Sequence, residues 1–213
     1  MISTTFSDNY ELRAENLIYE INDKLIIDGV SFSVKSGEML FIEGSNGSGK
    51  TTLLRIISGL MQADEGQVTW NGKSIEQDRI EFNQQLTYLG HSTGVKAELS
   101  TLENISFFSA LSGLPQKENS QAAIEWVGLK SYENSPGRHL SYGQQRRVAL
   151  TRLLMEPSTI WILDEPFAGL DKNMIGALET RFKDHVHAGG ILVLTSHQHI
   201  ELDQVNTTRL QLG

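Results

Sequence analysis

The sequence predicts an α/β fold with a parallel sheet at its core and a helical insertion near residues 93–150. Two stretches, residues 159–163 and 191–195, are continuous apolar runs apart from a threonine at one end of each. Runs without polar alternation are typical of strands buried in the centre of a parallel sheet. Strand-like and helix-like segments alternate along the chain. A helix predicted at about residues 173–187 would connect the two apolar strands as a crossover.

The N-terminal half alternates strands with one amphipathic helix. Residues 51–60 carry apolar side chains at helical spacing, which predicts a helix with one buried face. The dipeptide Asn71-Gly72 follows a strand-like segment and is typical of the tight turn of a β-hairpin. The strands predicted in this half are residues 25–34, 39–43, 66–70 and 86–89.

The middle of the chain is predicted to be helical. Residues 100–132 have a mostly helical pattern, interrupted by a Gly-Leu-Pro break at 113–115. A further helix is expected to follow Ser141, a residue type that favours the N-cap position.

Composition limits the classes of function. The chain has 213 residues, of which 39% are hydrophobic and 21% charged, as in ordinary globular domains. Its net charge of −8 argues against a dedicated nucleic-acid binder, because phosphate recognition needs a basic face. It contains no cysteine, which excludes disulfides and thiolate sites. We see no signal-peptide pattern and no run near the roughly 20 apolar residues that span a bilayer. If the protein works at a membrane, another chain must supply the spanning helices.

A glycine-rich stretch after the second predicted strand carries the clearest chemical signal. Its letters GSNGSGKT, residues 44–51, fit the phosphate-binding pattern GxxxxGK[ST]. Glycines let backbone N–H groups converge on phosphate oxygens, and the N-terminus of the following helix adds partial positive charge. We expect Lys50 to reach the β- and γ-phosphates of ATP and Thr51 to bind Mg²⁺. The residues expected to line the phosphates are Gly44, Ser45, Asn46, Gly47, Ser48, Gly49, Lys50, Thr51 and Thr52.

Two adjacent carboxylates end the apolar strand at 159–163. The ends of strands in α/β sheets face the ligand crevice, so Asp164 and Glu165 are placed for chemistry there. Asp164 suits the Mg²⁺ shell, which makes Thr51 and Asp164 the expected metal ligands. Glu165 suits the activation of a water that attacks the γ-phosphate.

The letters LSYGQ at residues 140–144 connect these motifs to a known family. They resemble the signature LSGGQ of ABC ATPases, with Tyr142 in the third place. The segment ends 20 residues before Asp164 and lies between the phosphate loop and the carboxylate pair, in the order typical of that family. The resemblance covers about residues 11–200.

The resemblance implies the ABC ATPase fold. That fold has a P-loop NTPase (RecA-like) core with a parallel sheet, an antiparallel β subdomain and a helical subdomain. Residues 1–213 would form a single ATP-binding domain. Residues 1–92 and 151–213 would be the nucleotide-binding core with its β subdomain, and residues 93–150 the helical signature subdomain.

A second copy of the chain is an implied partner. In the family's head-to-tail ATP sandwich dimer, Ser141, Gly143 and Gln144 of one copy would close over the γ-phosphate held by the other. Residues 168–171 resemble the loop that couples the two sites, and His197 resembles the switch histidine that contacts the γ-phosphate. The residues expected to carry catalysis are Lys50, Glu165 and His197.

Two positions depart from the ABC pattern. Where the family usually has Gln, after the strand at 86–89, this chain has His91, which we expect to take its place beside the metal and the water. The aromatic residue that normally stacks on adenine falls at Ile21, and Tyr19 lies two residues earlier on the same strand face. Either Tyr19 stacks on the base, or the base packs on Ile21.

Further segments indicate which group of ABC ATPases the chain resembles. The letters GHSTGVK at 90–96, WILDEPF at 161–167 and TSHQ at 195–198 are similar to the ATP-binding subunit of the bacterial cytochrome c maturation system, often called the haem exporter. This implies ATP hydrolysis that drives haem export or delivery, integral membrane subunits as partners, no nucleic acid, and a peripheral place on the cytoplasmic face of the inner membrane. The alternatives are a subunit of another exporter, for drugs, lipids or peptides, or a non-transport ABC ATPase.

Overall fold

A computed structural model describes Phe6, residues 10–111 and 118–197, Ile200 and residues 202–213. The described residues form two compact units. The sheet unit takes its residues from 4–90, 158–165 and 179–213, and the helical unit from 91–157 and 166–178. The subdomain limits 93–150 stay a prediction, and the break predicted at 113–115 lies outside the described residues.

The sheet unit contains all the strands described. In chain order its elements are β1 (Glu11–Ile21), β2 (Lys24–Lys35), β3 (Glu38–Gly44), α1 (Lys50–Ile57), β4 (Glu65–Trp70), β5 (Lys73–Ser74), α2 (Arg79–Gln85), β6 (Leu86–Leu89), β7 (Ile160–Asp164), β8 (Ile191–Thr195) and β9 (Asn206–Leu212). The first sheet is antiparallel with the order β2-β1-β4-β5, and the second is parallel with the order β6-β7-β8-β3-β9.

The parallel sheet confirms the interpretation of the two apolar stretches. Every residue of β7 and β8 is buried, and both strands lie inside the sheet with a neighbour on each side. Side chains from both sheets and from α1 share one apolar core that includes Leu12, Leu40 and Leu53. Because β7 and β3 end at the same edge of the sheet as β8, the residues that follow them come together there.

The helix α1 is shorter than its apolar pattern predicts. It ends at Ile57, and Leu60 lies beyond it with 60% of its surface exposed. Gly59 adopts a positive φ of 71° and donates its N–H to the carbonyl of Ile56, which closes the last turn. The expectation that Leu60 belongs to the buried helical face was therefore wrong.

The helical unit is built from short helices. They are α3 (Thr101–Leu111), α4 (Glu118–Trp126), α5 (Tyr142–Leu150) and α6 (Arg152–Met155), together with short 3-10 turns at Lys130–Tyr132 and Gly137–His139. The predicted helix after Ser141 is confirmed as α5. A longer helix, α7 (Lys172–His187), follows and leads to β8. Among the helices described, none has both the length and the hydrophobicity needed to cross a lipid bilayer.

Candidate active site

The phosphate loop runs from the end of β3 into α1, as its motif predicts. Gly44 has φ 154°, and a Cβ there would lie 2.4 Å from Ser48 Oγ and 2.5 Å from the carbonyl oxygen of Leu212. Gly49 has φ 95°, and a Cβ there would lie 2.9 Å from the carbonyl oxygen of Ile26. Both glycines are required by a positive φ and by the close approach of neighbouring atoms. The loop is thus held between β2 and β9.

Lys50 is folded back over this loop. It is 8% exposed, and its Nζ donates hydrogen bonds to the carbonyl oxygens of Gly44 at 2.7 Å and Ser45 at 2.9 Å. An ammonium group has three donors, so one remains for a ligand. Ser48 Oγ is buried and has no hydrogen-bond partner among the residues that the structure describes. A buried hydroxyl without a partner is costly, and an anion in the loop would satisfy it.

The rest of the loop faces solvent or begins the helix. Ser45, Asn46 and Gly47 are exposed, and a Cβ at Gly47 would meet no atom within 4 Å. Thr52 is half-buried in the first turn of α1. Exposed backbone followed by a helix N-terminus is an arrangement that binds anions.

A chain of hydroxyl and carboxylate groups joins three elements at the carboxyl edge of the sheet. Asp164 is 2% exposed, and its Oδ2 accepts a hydrogen bond from Thr51 Oγ1 at 2.8 Å. Its Oδ1 accepts one from Thr195 Oγ1 at 2.8 Å. The carboxylate is therefore fixed from both sides by α1 and β8. A hydroxyl and a carboxylate in contact supply the oxygen ligands that Mg²⁺ prefers, so the donor set fits this ion.

Glu165 has an unusual backbone and a partly unsatisfied side chain. Its φ is 50°, in the left-handed region that a residue with a Cβ seldom adopts. Its N–H donates to Thr195 Oγ1 at 3.1 Å, which helps to hold this conformation. Strained backbone of this kind is concentrated at functional sites. The turn directs Glu165 to the edge of the sheet at which β8 ends.

The Glu165 carboxylate lies against His197. Its Oε2 accepts a hydrogen bond from the backbone N–H of His197 at 3.2 Å, and its Oε1 is 3.5 Å from His197 Nε2. Oε1 is buried and has no hydrogen-bond partner in the described part of the chain. A carboxylate oxygen with a free lone pair can accept a proton from a bound water.

Thr195 is a site residue that the sequence analysis did not assign. Its single hydroxyl donates to Asp164 and accepts from the backbone N–H of Glu165. It thereby links the proposed metal ligand to the proposed base. A signal was present in the sequence, because Thr195 is a polar residue that ends an otherwise apolar buried strand.

The structure distinguishes Tyr19 and Ile21, the two candidates for contact with the adenine base of ATP. Tyr19 is half-buried and packs against the core, opposite Ile27, which is 1% exposed. Ile21 is 43% exposed at the end of the β1–β2 hairpin, where it pairs with Lys24. Of the two residues, Ile21 is therefore the more exposed.

The signature segment forms the N-terminus of α5 in the helical unit. Ser141 Oγ accepts a hydrogen bond from the N–H of Gln144 at 3.2 Å, and the Gln144 side chain accepts one from the N–H of Ser141 at 2.8 Å. This reciprocal capping box confirms Ser141 as the N-cap. The Ser141 hydroxyl hydrogen is still available to donate to a ligand.

The signature lies against the loop at 168–171. A Cβ at Gly143 would be 2.4 Å from the carbonyl oxygen of Gly169, so the two backbones approach too closely for any other residue type. Arg147 forms an ion pair with Asp171. Asp171 also accepts from the N–H of Met174 at 2.9 Å, which lowers the pKa of its carboxyl below the usual value.

The described residues thus place the expected site residues in two groups. Lys50, Thr51, Asp164, Glu165 and His197 come together in the sheet unit at the carboxyl edge of the parallel sheet. His91, Ser141, Gly143 and Gln144 belong to the helical unit.

Comparisons with known proteins identify the family of the chain. Residues 27–168 match the family model described as ABC transporter. Curated relatives named "Cytochrome c biogenesis ATP-binding export protein CcmA" include those of Vibrio vulnificus and Photobacterium profundum. The first is 43% identical over 203 residues, and the second is 44% identical over 214 residues. Each alignment covers 95% of this chain and 99% of the relative.

Solved structures confirm the predicted fold. The ATP-binding subunit of an ABC transporter has a TM-score of 0.77 and is 28% identical, covering 87% of this chain and 79% of that one. An ATP-binding cassette solved as a dimer in a post-hydrolysis state with ADP and Pi has a TM-score of 0.78 at 21% identity, over 94% and 96% of the two chains. The chain belongs to the ABC transporter family as an ABC-type ATPase, and within that family to the CcmA group.

Proposed function

We propose that this chain is the ATP-hydrolysing subunit of an export complex that serves cytochrome c biogenesis. The observation that carries the ATPase mechanism is the hydrogen-bond network in which Thr51 and Thr195 fix the Asp164 carboxylate, while nearby Glu165 holds a buried oxygen that accepts no hydrogen bond from the described residues. The cytochrome c assignment is supported by the names of relatives that align with this chain over nearly their whole length. Other exporters and non-transport ATPases are not favoured by those relatives.

Binding of ATP is assigned to the phosphate loop. The backbone N–H groups of residues 44–52 would receive the phosphates, and Lys50 would exchange its bonds with Gly44 and Ser45 for contacts to the β- and γ-phosphate oxygens. Thr51 and Asp164 would hold Mg²⁺. When bound, this ion supplies positive charge that neutralises the phosphates. The hydrogen bond between Thr51 and Asp164 keeps the two ligands in contact before the ion arrives.

Hydrolysis is assigned to the residues beyond β7 and β8. Glu165 would orient a water for in-line attack on the γ-phosphate and would accept the proton of that water at Oε1. His197 would contact the γ-phosphate and stabilise charge that develops on it. His91 would act beside the metal and the water, in the place the family gives to Gln. Most of the rate enhancement would come from positioning and electrostatics.

The complete site needs a second copy. Ser141, Gly143 and Gln144 of one chain would close over the γ-phosphate held by the other, in a head-to-tail sandwich. The capping box gives the signature a fixed backbone, and the close approach of Gly143 to Gly169 ties it to the loop that follows the carboxylate pair. One structural neighbour is a dimer, which supports this arrangement.

Membrane subunits of a cytochrome c maturation system are the proposed partners, and the cytoplasmic face of the bacterial inner membrane is the proposed location. A test is affinity purification of the chain from native membranes, followed by identification of the membrane proteins that accompany it. We expect cytochrome c maturation subunits, and a Lys50→Ala strain should lose c-type cytochromes. Recovery of an unrelated permease, with c-type cytochromes intact in that strain, would contradict the assignment.

The adenine base is expected to pack on Ile21 rather than on Tyr19. An aliphatic contact lacks the stacking of an aromatic ring, so discrimination between ATP and GTP should be weak, within about 10-fold. Ile21→Tyr is expected to tighten ATP binding, measured by titration with a fluorescent nucleotide. Tyr19→Leu keeps an apolar side chain at the neighbouring position and should leave nucleotide affinity unchanged. A selective loss of ATP binding in Tyr19→Leu would instead show that Tyr19 stacks on the base.

A further inference from the structure

The departure at His91 and the Tyr142 that replaces a glycine of the signature lie side by side in the helical unit. His91 stands where the family has Gln, and Tyr142 stands where the signature has its first Gly. Their ring centroids are 6.3 Å apart, with 40° between the ring planes. Tyr142 is 46% exposed and His91 is also exposed, so the contact is not part of the buried core.

The Tyr142 ring also reaches the loop at 168–171. A Cβ at Gly169 would lie 3.3 Å from Tyr142 Cδ1, so the ring rests close to this backbone. Gly169 has a φ of 74° and approaches Gly143 as well. One side chain of the signature therefore touches both the loop that carries His91 and the loop that follows Glu165. A glycine at position 142 would make neither contact.

Exposed histidines ordinarily sample several rotamers, and an aromatic neighbour restricts them. Pairs of aromatic rings are favoured by about 2- to 10-fold beyond the area they bury. The backbone of Tyr142 is itself fixed, because Ser141 caps α5 directly before it. Tyr142 thus extends an aromatic ring from a fixed backbone position beside a side chain that would otherwise be free to rotate.

We propose that Tyr142 is a positioning residue that holds His91 in its active orientation during ATP hydrolysis, so that the two residues act as one unit. This inference rests on the proposed function. It assigns Tyr142 a role within its own chain, whereas Ser141 and Gly143 on either side are assigned to the nucleotide of the second copy.

Kinetics of the hydrolysing complex test the positioning role. Tyr142→Leu is expected to lower kcat about 3- to 10-fold with little change in KM for ATP, because orientation rather than nucleotide binding is lost. Tyr142→Phe keeps the ring and should restore kcat. The matched control is Tyr132→Leu, which removes another exposed tyrosine of the helical unit, 41% exposed and outside the proposed site. A rise in KM at unchanged kcat in Tyr142→Leu would overturn the proposal.

A double-mutant cycle tests whether the two residues form one unit. His91→Gln and Tyr142→Leu should each lower kcat, and the double variant should be no slower than the slower single variant. Multiplicative losses would show that the residues act independently and would overturn the proposal.

A measurement without turnover separates this inference from the proposed function. The imidazole proton resonance of His91, assigned by its disappearance in His91→Gln, should shift in Tyr142→Leu and stay in place in Tyr132→Leu. An unmoved resonance in Tyr142→Leu would overturn the ring contact. A wild-type chain that hydrolyses no ATP in its complex would overturn the proposed function, and the resonance alone would then decide whether the pair exists.

Discussion

Glu165→Gln is expected to reduce ATP hydrolysis by about 10³-fold and to leave MgATP binding intact. The amide keeps the shape of the side chain and can still accept the backbone N–H of His197, but it cannot take a proton from water at the position of Oε1. Single-turnover hydrolysis and equilibrium nucleotide binding measure the two effects separately. Because bound ATP is not consumed, the variant should also elute as a dimer in the presence of MgATP.

The matched control is Glu43→Gln in the same sheet unit. Glu43 lies near the end of β3, directly before the phosphate loop, but its carboxylate is paired with Arg209 Nη1 at 2.6 Å. Partly exposed pairs of this kind contribute little to stability, so this variant should hydrolyse ATP at nearly the wild-type rate. Turnover by Glu165→Gln that is close to that of the control would remove Glu165 from its proposed role.

The parts of the site that the sequence predicts are those that depend on local chemistry. The phosphate loop requires particular φ values at Gly44 and Gly49, and such requirements are visible in single residue types. The capping box is likewise local, since Ser141 and Gln144 are three residues apart. The buried strands β7 and β8 are predicted because each contains four consecutive apolar residues, a run that is typical of a buried strand.

The parts that sequence reasoning missed depend on contacts between distant segments. The role of Thr195 arises from its pairing with Asp164, 31 residues away; its place as the polar end of an apolar strand marks the residue, but does not show which group it contacts. The strand β9 was not predicted, because its mixed polar pattern is explained only by its place at the edge of the sheet beside β3. The helix α2 was not predicted either, since it has a single buried residue, Phe82.

A second large effect is expected on the stability of the folded protein at acidic pH. His185 is 2% exposed near the end of α7, where its ring stacks on Trp161 with centroids 3.7 Å apart and packs edge-on against Phe6. Burial, together with the charge of Arg181, lowers the pKa of His185 to about 3, although a hydrogen bond to the carbonyl of Ile191 opposes both. The folded protein therefore holds this imidazole neutral.

The sign of the effect follows from proton linkage. Between the unfolded pKa near 6.5 and the folded pKa near 3, the unfolded chain binds the proton and the folded chain does not. The contribution of neutral His185 to stability is fully present above pH 6.5 and is lost as the pH falls through this window. The loss amounts to roughly 3 kcal/mol at pH 4, on the order of 100-fold in the unfolding equilibrium.

The His185→Phe variant should be less stable than wild type at pH 7 but should lose less stability as the pH falls to 4. Phenylalanine keeps the stacking on Trp161 but leaves the carbonyl of Ile191 without this donor, so the variant should be less stable than wild type at pH 7, by about 1–3 kcal/mol. It binds no proton at this position, so it should lose less stability than wild type between pH 6.5 and pH 4. Urea unfolding followed across this pH range measures both differences, and carboxylate titrations cancel because the two proteins share them.

A control on the same helix separates burial from the mere presence of an imidazole. His187 is exposed two residues further along α7, and His187→Gln should follow the wild-type dependence of stability on pH. Parallel curves for wild type and His185→Phe would mean that the buried ring is protonated in the folded state at little cost. In that case the close contact with Trp161 and the position against Gly190, where a Cβ would lie 2.3 Å from His185 Nε2, would have to relax in acid. Divergent curves would show that this packed imidazole limits the stability of the sheet unit as the pH falls.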